Sequence, residues 1–190
     1  MLKSPENLGV IHFIGIGGIG MSGIAEILFQ SGYNVQGSDI TDGNNTNRLK
    51  KLGIKVYIGQ KKSNILNAKL VVVSTAISKK NIEYMTAKKM FLPVVHRSEM
   101  LGELMRLKQS IAIAGTHGKT TTTSLIAKMI EENGMDPTII NGGIISSLDS
   151  NAKLGNGEWM VVEADESDGS FAKLNPTVAI ITNINLEHLD

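Results

Sequence analysis

The residues Gly15-Ile16-Gly17-Gly18-Ile19-Gly20 keep the spacing G-x-G-x-x-G, directly after an apolar run and before a helical pattern. Glycines in such a loop permit a tight turn and let backbone N–H groups approach a diphosphate at a helix N-terminus. Asp39 ends the next apolar run, 19 residues past Gly20, where a carboxylate can accept from ribose hydroxyls. A dinucleotide such as NAD and a UDP-sugar share these handles. The loop by itself does not separate them.

A second loop, Gly115-Thr116-His117-Gly118-Lys119-Thr120-Thr121, again follows an apolar run and opens a helical pattern. Its amides would cradle phosphates, Lys119 would neutralise them, and the Thr120 hydroxyl would ligate Mg²⁺. It is shorter than G-x-x-x-x-G-K-[ST], which would need glycine where Ile113 stands. A loop of this kind needs a metal-binding carboxylate from a neighbouring strand. Glu163 ends the run Trp159-Met160-Val161-Val162-Glu163 and would emerge beside Thr120. Asp165, Glu166 and Asp168 follow, a crowding of acids that a solvated loop also produces. His188 stands in Asn185-Leu186-Glu187-His188-Leu189-Asp190, and a lone histidine is more often structural than a ligand.

These residues need strands to carry them and helices to open above them. Val10 to Ile16, Asn34 to Ser38, Lys55 to Ile58, Leu70 to Thr75 and Val94 to His96 read as strands. Helical patterns lie at Met21 to Phe29, Asn47 to Leu52, Asn81 to Met90 and Ser98 to Leu107. The alternation predicts a Rossmann-like, doubly wound parallel sheet over residues 1–107. The pattern then restarts at 108–190, with strands at Ser110 to Ala114, Trp159 to Glu163 and Val178 to Thr182 and a helix at Lys119 to Glu132. That half reads as an incomplete P-loop-type α/β domain with three or four strands.

The chain has 190 residues, 42% of them hydrophobic and 19% charged, enough apolar content for a buried core. A formal charge of +1 argues against an electrostatic grip on nucleic acid or an anionic membrane. No cysteine is present, which suits a reducing cytoplasm. The apolar stretch from Leu8 to Phe29 holds six glycines and Glu26, so it reads as strand, turn and helix rather than a signal peptide or membrane anchor.

Taken together, the motifs resemble the ATP-dependent peptidoglycan amino-acid ligases, the Mur ligase family. The resemblance is carried by His12 to Gly23 (HFIGIGGIGMSG), Gly115 to Thr123 (GTHGKTTTT), Glu163 to Phe171 (EADESDGSF) and Thr182 to Asp190 (TNINLEHLD). Asn185 departs from it, since the family commonly carries an acid there. The resemblance implies a three-domain enzyme, of which this chain matches the first domain and the first part of the second. Alone, it is expected to be inactive. Within the family the motifs are nearest the member that joins L-alanine to the lactyl carboxylate of UDP-N-acetylmuramate through an acyl phosphate made from ATP. The resemblance further implies that the loop Gly15, Gly17, Gly18, Ile19 and Gly20, with Ser38, Asp39 and Ser74, binds the UDP-sugar. Gly115 to Thr121 would bind ATP, Lys119 would stabilise the transferred phosphoryl group, Thr120 and Glu163 would hold one Mg²⁺, and His188 a second. His96 and Arg97 follow a strand end where substrate or solvent could meet them. Competing readings are a sister ligase that reattaches murein peptides, a nicotinamide oxidoreductase, and a nucleotide-sugar binding module without catalysis.

Overall fold

The computed structural model describes residues 4–145, 150–164 and 174–185. Contacts divide the chain into two units, Met1–Met100 and Leu101–Asp190. The first holds α1 (Pro5–Leu8), β1 (Val10–Ile14), α2 (Ile19–Gln30), β2 (Val35–Asp39), α3 (Asn44–Lys51), β3 (Lys55–Ile58), a 3₁₀ turn (Lys62–Ile65), β4 (Ala68–Val73), α4 (Ile82–Lys89) and β5 (Val94–His96). Its five strands run parallel in the order β3-β2-β1-β4-β5. A parallel strand flanked on both sides is buried on both faces, and in β1 every residue from Ile11 to Ile14 is buried. α2 is buried continuously from Met21 to Leu28. α4 starts where the Asn81 side chain accepts from the amides of Glu83 and Tyr84, an N-cap that satisfies two orphan donors. Strand order reverses between β1 and β4, and in an open α/β sheet ligands bind outside the carboxyl ends of the strands at that reversal.

α5 (Arg97–Met105) begins in the first unit and ends in the second, so the division falls inside it. The second unit continues with β6 (Gln109–Ala114), α6 (Lys119–Glu132), β7 (Thr138–Ile145), β8 (Ser150–Lys153), β9 (Trp159–Glu163) and β10 (Val178–Ile181). The order is β10-β6-β9-β7-β8, parallel except for the antiparallel β7–β8 pair. Ile113, Ala127, Ile139 and Val161 form its core. Two of these five strands, β7 and β8, correct the sequence reading of three or four. Gly142-Gly143 interrupts the apolar run of β7, and Ser150-Asn151-Ala152-Lys153 has no apolar alternation. β8 is nevertheless buried from Ser150 to Ala152, which tertiary packing decides and local pattern does not. No described helix is long and apolar enough to cross a membrane.

Candidate functional site

At the carboxyl end of β1 the chain turns through Gly15, whose φ of 78° suits glycine. The amides of Gly15 and Ile16 both donate to the Ser38 carbonyl, at 2.8 and 2.9 Å. The Gly17 amide donates to Asp39 Oδ2 at 2.8 Å, and Asn45 Nδ2 donates to the Gly17 carbonyl at 2.8 Å. Gly18 is then the N-cap of α2. The glycine loop is therefore held from β2 and α3. On its other side comes the turn after β4, where Ile77 N donates to Ser74 O. A Cβ on Gly15 would lie 3.1 Å from the Ile77 side chain. From the end of β5, the Arg97 guanidinium reaches the N-terminal turn of α2, 2.9 Å from where a Gly20 Cβ would be. The loop, Asp39, Ser74 and Arg97 thus gather at the strand-order reversal.

Ser38 does not join them. Its side chain is fully buried and donates to Glu83 Oε2 at 2.5 Å, so the expected ligand contact is corrected to a positioning one made through its carbonyl. Glu83, also fully buried, is the centre of a polar network. Oε2 faces His12 Nε2 at 3.2 Å, and Oε1 accepts from Asn64 Nδ2 at 2.7 Å and from the Lys61 amide at 3.1 Å. Gln36 Nε2 donates to the Asn64 carbonyl at 2.7 Å and lies 3.1 Å from His12 Nδ1. Gln36 Nε2 also donates to Asn67 Oδ1 at 3.1 Å, so the His12 ring lies between the Gln36 carboxamide and the Glu83 carboxylate. Burial pushes the Glu83 carboxyl up, but hydrogen bonds from His12, Ser38 and Asn64 outweigh it and leave the group below the ordinary glutamate value.

The second loop leaves β6 at Gly115, with φ 124°, and enters α6 through Gly118 in the left-handed conformation. Lys119 Nζ donates to the carbonyls of Gly115 and Thr116 at 2.6 and 3.2 Å, so the ammonium lies over its own loop. β9 is the parallel neighbour of β6, with Ile113 opposite Glu163. That register carries Glu163 to the loop: its Oε2 accepts from Thr120 Oγ1 at 2.9 Å and from the Gly142 amide at 2.8 Å. A hydroxyl and a carboxylate in contact are hard oxygen donors of the kind Mg²⁺ prefers. On the β10 side, Asn183 makes a two-point contact with the His117 backbone. The His117 amide donates to Oδ1 at 3.0 Å, and Nδ2 donates to the His117 carbonyl at 2.8 Å.

Sequence reasoning placed the two loops, Asp39, Ser74 and Glu163 in strand-end positions, and the structure brings each set together within its own unit. It gave no role to Glu83 or Asn183. Glu83 was traceable only as an acid two residues past a helix-capping asparagine. Asp165, Glu166, Asp168 and His188 lie outside the described residues. Among the described residues no cluster of three or more metal-ligating side chains occurs.

Two family models match the chain: the Mur ligase family catalytic domain over residues 10–109, and the Mur ligase middle domain over residues 113–190. A UDP-N-acetylmuramate–L-alanine ligase of Parvibaculum lavamentivorans is 63% identical over all 190 residues, which are 39% of that protein. One from Rhodospirillum rubrum is 61% identical over 190 residues, 40% of its length. The chain therefore spans about two fifths of these relatives. Among solved structures, the UDP-N-acetylmuramate–alanine ligase of Thermotoga maritima superposes with a TM-score of 0.90 at 36% identity, covering 95% of this chain and 43% of that one. The UDP-N-acetylmuramate:L-alanyl-γ-D-glutamyl-meso-diaminopimelate ligase from Neisseria meningitides gives 0.88 at 28% identity, covering 96% and 63%. With its family models matching residues 10–109 and 113–190, the chain belongs to the Mur ligase family.

Proposed function

We propose that this chain supplies the UDP-sugar and ATP loops of a cytoplasmic ligase that joins L-alanine to the lactyl carboxylate of UDP-N-acetylmuramate. The observation that carries the reading is the Thr120–Glu163 contact of 2.9 Å at the head of two adjacent parallel strands. A nicotinamide oxidoreductase would have no use for a phosphate loop with a metal-type carboxylate beside it.

In this reading the diphosphate of UDP-N-acetylmuramate sits on the Gly15–Gly20 loop at the N-terminus of α2, with Asp39 bracing Gly17 and Ser74 flanking the crevice. Arg97 adds a cation beside Gly20, suited to an anionic ligand. ATP occupies Gly115 to Thr121. A carboxylate is a poor acyl donor, so a lactyl oxygen takes the γ-phosphoryl group and ADP leaves. The alanine amine then attacks the acyl carbon, phosphate departs, and the amine gives up a proton. Lys119 neutralises charge on the phosphoryl group in transit. Thr120 and Glu163 would hold Mg²⁺, which would supply charge screening of the phosphate oxygens. His188 is assigned to a second Mg²⁺. A ligase for murein peptides would use the same two loops.

The test replaces the matching part of the Parvibaculum lavamentivorans ligase with this chain. The hybrid should release phosphate when given ATP, UDP-N-acetylmuramate and L-alanine, and Lys119→Ala should abolish it. Turnover in Lys119→Ala equal to the parent hybrid would refute the ATP assignment, and a hybrid that releases no phosphate with all three substrates would refute the role given to the two loops.

A further inference from the structure

A phosphate loop works through the direction of its amides, and two amides of this one are already committed. Thr116 N donates to the Asn183 carbonyl at 3.2 Å, and His117 N donates to Asn183 Oδ1 at 3.0 Å. The Asn183 side chain returns a bond from Nδ2 to the His117 carbonyl at 2.8 Å. Thr182 Oγ1 reaches the same carbonyl at 2.6 Å, and Thr182 N donates to Ala114 O at 3.0 Å. Asn185 N donates to Thr116 Oγ1 at 3.0 Å. The contact depends on glycine at 115: a Cβ there would lie 2.3 Å from Thr182 Oγ1 and 2.8 Å from the Asn183 carbonyl. The segment after β10 thus continues the β6–β10 pairing, Ile181 opposite Ala114, alongside the loop.

We propose that Asn183 is a positioning residue for nucleotide binding. It fixes the peptide on either side of His117, so that the loop presents the amides from Gly118 into the first turn of α6 to the phosphates. A side-chain carboxamide can accept from N–H and donate to C=O of one residue at once through two separate atoms. Two-point fixing removes the loop's freedom to turn its carbonyls toward the phosphates, a preorganisation that acts on affinity. This inference rests on the assignment of ATP to the second loop.

The experiment titrates ¹⁵N-labelled protein with Mg-ADP and follows the Gly118, Lys119 and Thr120 amides, a readout that registers even millimolar binding. Wild type should show saturable shifts in these amides; their absence would overturn the ATP assignment itself and this inference with it. With wild type binding, Asn183→Ala should bind Mg-ADP about fivefold more weakly, the scale of a net hydrogen bond. Its melting temperature and its affinity for UDP-N-acetylmuramate should be unchanged, and exchange of the His117 amide with solvent should speed up. Asn183→Asp keeps the acceptor and loses the donor, and carries the same comparison if the alanine variant does not fold. Loss of less than about threefold, or a parallel loss of UDP-N-acetylmuramate affinity, overturns the proposal.

Discussion

Gly18 and Gly17 are neighbours in one motif, yet their side chains would meet different surroundings. A Cβ on Gly17 would lie 2.9 Å from both Asp39 Oδ2 and Thr46 Cγ2. A Cβ on Gly18 meets nothing nearer than the Gly15 carbonyl at 3.4 Å, and φ there is −57°, open to any residue. Gly18→Val should therefore fold with an unchanged melting temperature and, on the proposed reading in which backbone approaches the diphosphate at this face, lose UDP-N-acetylmuramate affinity by about tenfold or more. Calorimetry beside a thermal melt reads both; equal affinities would remove the loop from the site. In the second loop, Glu163→Gln keeps an oxygen for the Gly142 amide and loses the charge. In the hybrid ligase its turnover should fall by about a hundredfold, with UDP-N-acetylmuramate binding intact.

At the level of elements, β1, β2 and α4 are joined through one carboxylate. His12 comes from β1, Ser38 from β2 and Glu83 from α4, and all three are fully buried. Removing the carboxylate strands the buried Ser38 and Asn64 donors, so Glu83→Ala should cost about 1–3 kcal/mol for each of them by urea denaturation. Because the Glu83 carboxyl is held below its ordinary value, the sign of the pH dependence is fixed. The stability it contributes is complete above about pH 4.3, the ordinary glutamate value, and is lost as pH falls through the lowered folded value. Glu83→Gln should flatten that acid limb, and an unchanged limb would show that another carboxylate sets it. This network also marks where the sequence stopped being legible. Glycine spacing and a strand-end acid locate the loops because the tight turns they make fall within one local segment. Ser38 reads as a strand-end hydroxyl facing ligand, and only the 45-residue separation bridged by its bond to Glu83 reveals that it faces inward. The same applies to β8, whose Ser150-Asn151-Ala152 stretch is polar by sequence and buried by packing.

Across the molecule, apolar exposure is distributed unequally in consequence, even where percentages are alike. In the first unit Ile40, Leu66 and Phe91 are exposed. In the second, Leu125 and Met129 stand one helical turn apart on the outer face of α6, 61% and 66% exposed. Leu125 also lines a cavity of about 500 Å³ with Ala127, Ile139 and Ile145. Among the described residues, β10 is an edge strand with Val178 and Ile181 exposed. An unpaired parallel edge with apolar side chains is a template for association, and the exposed Leu125 and Met129 add apolar surface. The second unit should therefore set the concentration at which this chain self-associates. Leu125→Gln with Ile181→Lys should raise that concentration severalfold in light scattering, while UDP-N-acetylmuramate affinity, which the proposed reading assigns to the first unit, should stay as in the parent. Association that persists undiminished in the double variant would place the adhesive surface elsewhere, with Phe91, 93% exposed at a φ of 54°, the next residue to replace.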